Sequence, residues 1–317
     1  MSLVRTVLGD IPASDLGPCY SHEHIVIERS YVTEKNPDFL LDDVGLISAE
    51  VSAFYNAGGR AMVDSMPCGG GRSARKLAEV SRATGVHIVC PTGLHLQKYY
   101  PHGHWGEKAS ASAIAKIFIE EIEHGIDASD TLGPNWEKTN LRAGLIKVAS
   151  SLDRVSDFEK KIFEAAAIAH HVTGSPILTH TEQGTAALEQ IKIFQSLGVA
   201  PGCLVLSHTD RKPDVSYHKE LLSTGVYLEY DSAFRWKPSD GNPTRDLIIS
   251  LCEAGFASQI VVGMDAARRS YWRSFGGSPG LTFFLETFFP DMKRDGFPAE
   301  FIDLILVQNP ARAYARF

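Results

Sequence analysis

The sequence predicts a distorted (β/α)8 barrel with a short β extension at its N-terminus and a lid-like insertion after the third strand. Three observations carry that expectation. Eight short apolar, β-branched runs recur along the 317 residues. Longer segments with helical spacing lie between them, the alternation that builds βα units and a parallel sheet. One α/β barrel can also run past about 250 residues, so residues 1–317 read as a single domain. A doubly wound open sheet has the same element order and is the alternative.

The runs, in order, are "CYSHEHIV" (19–26), "GRAMVDS" (59–65), "VHIVCPTG" (86–93), "RAGLIKVA" (142–149), "SPILTHT" (175–181), "GCLVLSHT" (202–209), "GVYLEYD" (225–231) and "SQIVVGMD" (258–265). Helical candidates fall between them: "SARKLAEVSRATG", "SDFEKKIFEAAAIAHHVTG" and "TAALEQIKIFQSLG", each closing on a Gly able to take the left-handed C-cap conformation. The longest interval, about 94–141, contains "HLQKYYPHGHWG" and "DTLGPNW" and is expected to cover one end of the barrel.

Composition narrows the class. With 44% hydrophobic and 22% charged residues the chain is an ordinary globular one. Its 31 basic and 38 acidic residues leave a formal charge of -7, which disfavours nonspecific attraction to nucleic acid or anionic lipid. The expected partner is a small anionic substrate, bound by a local basic patch; no nucleic acid and no membrane are expected, and a homodimer is allowed. Five scattered cysteines without CxxC spacing fit reduced thiols, and the N-terminus has no apolar h-region. Both point to the cytoplasm.

Aligned by their C-terminal ends, the runs bring unusual polar residues to similar places: His22 and His24 on the first, Lys147 on the fourth, His180 on the fifth, His208 on the sixth and Asp265 on the eighth. A barrel's catalytic groups gather at that mouth. Histidines spaced by two project from one face of a strand, the geometry for chelating one ion, and Glu23 between them points the other way. Two further histidines exceed what one open tetrahedral site needs, which points to two metals sharing a bridge. Lys147 is the candidate bridge. An ammonium would be repelled there, so the lysine belongs only as a neutral amine or as the carbamate formed with carbon dioxide. The bland alternative is a set of satisfied core histidines, a snorkelling lysine and an aspartate capping a helix.

"SHEH", the Lys in "LIKVA", the His in "ILTHTEQGT", the His in "LSHTDR" and the Asp in "VVGMD" resemble the phosphotriesterase family of the amidohydrolase superfamily. They occur in the family's order over nearly the whole chain, and "VRTVLGDI" near the N-terminus matches as well. The resemblance implies a binuclear centre. His22, His24 and Asp265 would bind one divalent ion and His180 and His208 the other, with carboxylated Lys147 and a hydroxide between them. Asp265 would also act as the catalytic proton carrier. Imidazole and carboxylate ligation favours zinc, and manganese or cobalt fits the same set.

Substrate choice falls to the loops. "AFRWKPSDG" and "DAARRSYWRSFGG" place Arg235, Lys237, Arg268, Arg269 and Arg273 after the seventh and eighth runs, where barrels often bind phosphate. The same loops resemble the sugar-phosphate lactonase branch of the family, which implies that Lys237, Arg268 and Tyr271 hold the substrate phosphate, with Arg235 able to replace Lys237. The function implied is opening of a phosphorylated aldono-lactone. Alternatives are a carboxyl ester, lactone or organophosphate hydrolase whose substrate carries no phosphate, a metal-dependent nuclease, and a metal-binding sensor barrel without turnover. His95, His102 and His104 read as substrate contacts or surface rather than a third metal site.

Overall fold

The computed structural model describes residues 2–129, 137–237, 239 and 241–316. The "DTLGPNW" part of the expected lid lies outside the described residues. Among the described residues eleven strands form: β1 (Leu3–Thr6), β2 (Gly9–Pro12), β3 (Cys19–Glu23), β4 (Ala61–Asp64), β5 (His87–Val89), β6 (Pro91–Gly93), β7 (Leu145–Ser150), β8 (Ile177–Thr181), β9 (Leu204–Ser207), β10 (Tyr227–Tyr230) and β11 (Ile260–Val262). β1 and β2 pair antiparallel as the N-terminal extension.

The other nine make up the eight predicted runs, all parallel, in the order β3-β4-β5 and β6-β7-β8-β9-β10-β11. Cys90 alone separates β5 from β6, so the third run pairs backward with β4 through its first half and forward with β7 through its second. The remaining seam, between β11 and β3, has no ladder among the described residues. Asp265 N–H donates to the His22 carbonyl at 2.9 Å, and the buried Glu23 carboxylate accepts from the amides of Met264 at 2.7 Å and Ala266 at 3.3 Å.

Period-two alternation assigns each strand two faces. Cys19, Ala61, Val63, Val89, Leu145, Leu178, Val205 and Val261 form one buried cluster, the ring's interior, floored by Val4 of the extension and by Tyr314. The residues between them, such as Met62, Ile88, Ile146, Ile177, Leu204, Leu206, Ile260 and Val262, belong to the larger cluster under the helices. Continuing the inward register beyond Leu145 and Leu178 gives Lys147 and His180; beyond Val261 it gives Gly263 and Asp265. The apolar layer thus ends where the polar one begins.

The three predicted helices are Ala74–Thr84, Asp157–Thr173 and Ala187–Ser196, and Gly85, Gly174 and Gly198 follow them with φ of 75°, 68° and 79°. Ser156 and Glu159 close a capping box at the start of the longest. The 94–141 interval divides. Its first part, with His95, Tyr99 and Tyr100, lies at the mouth; its middle is a helix, Ala111–Glu123, capped by Ser110 and burying Ile114, Ala115, Phe118 and Ile122 on one face. That helix also carries Glu121, which pairs with the buried Arg72 at 2.7 Å. No described helix is long and apolar enough to cross a membrane, and none of the five cysteines is in a disulfide.

Candidate metal centre

All six predicted ligands arrive at one end of the ring. His22 and His24 share a cavity of about 510 Å³ with His180, His208 and Asp265. The rings are close: His22 to His24 5.5 Å between centroids, His22 to His208 4.6 Å, and His208 to His180 4.5 Å. Asp265 turns Oδ1 towards His24 Nε2 at 3.1 Å and His22 Nε2 at 3.7 Å. Its Oδ2 accepts from Arg211 at 2.7 Å and Arg235 at 3.2 Å.

His208 does not follow from the strand register. Val205 points inward and Ser207 continues that face, so an extended residue 208 would turn outward. Instead His208 has φ 65°, and this left-handed twist swings its ring into the mouth, where Nδ1 is bonded to Asp231. His180 Nε2 pairs with Glu182 at 3.0 Å, and Glu182 is itself held by Lys98.

Two carboxylates absent from the sequence reading complete the centre. Donor atoms of His22, His208, Glu229 and Asp231 lie within 4.8 Å of one another, as do those of His22, His24 and Asp265. The signal was present in "LEYD": acidic residues spaced by two at a strand end share one face. Arg211, the last residue of "LSHTDR", joins them: it bridges Asp231 Oδ1 at 3.1 Å and Asp265 Oδ2 at 2.7 Å.

Burial governs the electrostatics. It pushes His208 down to about 3, assisted by Arg211, and holds His22 and His180 low as well, so these imidazoles are neutral, the form that ligates metal. Burial would raise Asp265, but the His24 hydrogen bond and the Arg235 guanidinium hold it well below the carboxylate range. Burial and the adjacent Asp231 drive Glu229 up. Lys147 is only 1% exposed, and its Nζ has no hydrogen-bond partner; burial takes it down to about 8 despite Glu229, Asp265 and Asp231. Glu229 Oε1 is likewise buried without a hydrogen bond, as is His22 Nδ1, which has only Glu229 Oε2 beside it at 3.4 Å. Unpartnered buried polar atoms cost free energy, and a cluster of them aimed at one point fits a cationic group held there.

The loop cations separate. Arg235 and Arg268 line the cavity with Tyr271. Arg269 is turned to the Leu40 carbonyl and to Asp42 at 3.0 Å, and Arg273 to Thr282 at 3.1 Å and Glu286 at 3.6 Å. Lys237 is exposed and is not among the lining residues. The reason is local: a turn closed by Arg235 N–H to the Ser232 carbonyl at 2.8 Å aims Arg235 inward, and two residues later the chain has reached the surface. Of the three loop histidines, His95 lines the cavity, His104 caps Gly106 and stacks on Tyr100, and His102 is fully exposed.

The phosphotriesterase family profile matches residues 2–314. The chain belongs to the phosphotriesterase family. It is similar to phospho-furanose lactonase from Mycoplasmopsis synoviae (strain 53), 33% identical over 98% of this chain and 91% of that protein. Among solved structures it resembles a lactonase from Listeria monocytogenes, with a TM-score of 0.91 and 30% identity over the full length of both chains. It also resembles the phosphotriesterase homology protein of Escherichia coli complexed with phosphate in its active site, with a TM-score of 0.86 and 29% identity over 95% of this chain and 99% of that one. Membership makes this protein a hydrolase of a metal-dependent family, and the ring of imidazoles and carboxylates is where it would hold metal.

Proposed function

We propose that the protein is a binuclear metal-dependent lactonase that opens a phosphorylated aldono-lactone to the phosphorylated sugar acid. One observation carries the reading: a single cavity is lined both by His22, His24, His180, His208 and Asp265 and by the loop cations Arg235 and Arg268, with the buried, partnerless Lys147 amine on the neighbouring strand. The phospho-furanose lactonase relative and the relative with phosphate in its active site support the phosphate half.

His22, His24 and Asp265 would hold one ion, and His180 and His208 the other, with carbon-dioxide-modified Lys147 between them; Glu229 and Asp231 stand behind His22 and His208. Zinc suits these donors best, with manganese or cobalt next. When bound, the ions supply Lewis-acid polarisation and a water acidic enough to lose its proton near neutrality. Asp265 accepts the proton of the attacking water and returns it to the ring oxygen as the C–O bond breaks. Arg211 and Arg235 hold Oδ2, which fixes the carboxylate's rotation and leaves Oδ1 facing the imidazole pair. Arg268 and Tyr271 receive the phosphate, joined by Arg235 in the place assigned from sequence to Lys237. Reduced cysteines and the acidic composition agree with a cytoplasmic setting.

A second reading keeps the metal chemistry and drops the phosphate. It rests on the apolar part of the lining, Ile27, Val32, Phe39, Met66 and Trp236, which suits an unphosphorylated ester or lactone. The deciding experiment is a screen of metal-loaded protein against aldono-lactones in phosphorylated and unphosphorylated pairs. The proposal expects the phosphorylated member to react faster and inorganic phosphate to inhibit; equal rates within every pair reject the clamp.

A further inference from the structure

The cavity has two unlike walls. One carries the cations of the loops after β10 and β11. In a ring of eight strands the third faces the seventh, so the residues following β6 stand across the mouth from Arg235. They are joined to the loop after β8 by the Lys98–Glu182 pair at 3.2 Å and by the His95 and His180 rings, 4.8 Å apart.

Three polar side chains on this second wall line the cavity and have no hydrogen-bond partner for the atoms they present, among the described residues: His95 through Nε2, Tyr99 through its hydroxyl and Gln183 through its amide. His95 is fixed in orientation. Leu96 N–H donates to its Nδ1 at 2.8 Å, and its own backbone N–H donates to the Tyr100 hydroxyl at 2.8 Å. An imidazole whose Nδ1 accepts carries its proton on Nε2, so the free nitrogen is a donor. Gln183 is held at φ 54°, a left-handed conformation that non-glycine residues seldom adopt and that collects at ligand-contacting positions. None of the three groups is itself charged, and the nearby Lys98 is paired with Glu182, so they offer an anion little and a hydroxyl a full set of donors and acceptors.

We propose that His95, Tyr99 and Gln183 are the residues that read the ring hydroxyl groups of the aldono-lactone and so discriminate against alkyl and deoxy lactones. This rests on the lactone reading above and is independent of its phosphate. A site whose polar groups bond a substrate hydroxyl rejects the analogue that lacks it, because those groups are left unpaired.

Four lactones test it with the metal-loaded full chain: phosphorylated and unphosphorylated, each with ring hydroxyls present or replaced by hydrogen. kcat/KM is measured for the lactones, and Kd by calorimetry for the four ring-opened acids, so that binding is read even where turnover is absent. The expected result is a preference for the hydroxylated members of about tenfold or more, the loss of one good hydrogen bond. His95→Phe and Gln183→Leu should each shrink that ratio about tenfold, and His95→Gln, which keeps a donor, should restore most of it. Metal content measured alongside separates an effect of His95, or of Gln183 on the exposed rim next to Glu182, from disturbance of neighbouring His180. Equal values for hydroxylated and deoxy members in both measurements, or an unchanged ratio in both variants, overturn the inference. Equal values for phosphorylated and unphosphorylated members overturn only the phosphate clamp.

Discussion

Lys147 is buried as an amine with nothing to bond, and its pKa of about 8 lies below the ordinary lysine value of about 10.4. In metal-free protein the folded state therefore gives up this proton before the unfolded chain does. Between about pH 8 and about pH 10.4 the unfolded state binds more protons, so stability rises with pH; below that window the full penalty, on the order of 3 kcal/mol, is in force. Metal-free wild type should then be less stable than metal-free Lys147→Met at pH 7, with the gap closing towards pH 10 in urea titrations. A gap that stays constant with pH contradicts this. In metal-loaded protein the same substitution should lower metal content from about two ions per chain, as seen by elemental analysis, and remove the carbamate signal after growth with labelled bicarbonate. Asp265→Asn keeps the size of the side chain and loses the proton acceptor, so kcat should fall roughly 10²–10⁴-fold. On the substrate side, Arg268→Met should raise KM for the phosphorylated lactone at least about tenfold, whereas Lys237→Met should change it less than about twofold, since only the first side chain lines the cavity. A larger effect at Lys237 would return it to the phosphate site.

At the level of elements, the seam between β11 and β3 positions the first pair of ligands. A Cβ on Gly263 would stand 2.5 Å from the His22 carbonyl oxygen and 2.6 Å from its nitrogen, so only glycine lets the last strand approach the first this closely. Gly263→Ala should push the seam apart, costing roughly 1–3 kcal/mol in denaturant unfolding and, because Asp265 and His22 separate together, weakening metal binding as well. Retained metal affinity with lowered stability would show that the seam does not set the ligand geometry. Glu23 joins the same seam from beneath. Its outward direction comes from the register shift between Tyr20 and Glu23, since alternation from the inward Cys19 would turn it in, and its use as an acceptor for two amides of another strand required both strands in place. The helix Ala111–Glu123 is a similar case: its apolar spacing lies within the long interval after the third run, between a histidine-rich flank with Pro101 and a second flank with Pro134, both of which suit a loop.

For the molecule as a whole, the barrel's inner layer ends in a cage of neutral imidazoles and buried carboxylates that is under-satisfied without cations. Metal that binds the folded chain and not the unfolded one must stabilise it by mass action, so chelation should lower Tm and readdition restore it, with a shift that grows with metal concentration. Loss of activity on chelation with Tm unchanged would mean that the ions bind elsewhere than in this cage. The eight runs, the direction of most of their inward faces and three of the six predicted ligands were legible because period-two alternation is a property of local sequence. Lys147, His180 and Asp265 could each be assigned by counting along a strand; His22 and His24 share a face by their spacing, but Cys19 points inward, and only the register shift between Tyr20 and Glu23 turns the pair to the mouth. His208 could be placed at the strand end but not aimed, since its φ of 65° reverses the face that counting predicts. Tertiary structure alone decided that Arg211 enters the cage beside Glu229 and Asp231, that Arg235 faces the cavity and Lys237 the solvent, and that the wall opposite the cations turns uncharged polar groups to the cavity. The physical reason is that alternation sets which face of a strand a side chain occupies, whereas distance, burial and the loss of water depend on residues from separate strands meeting, and these create the shifted pKa values and unpaired atoms.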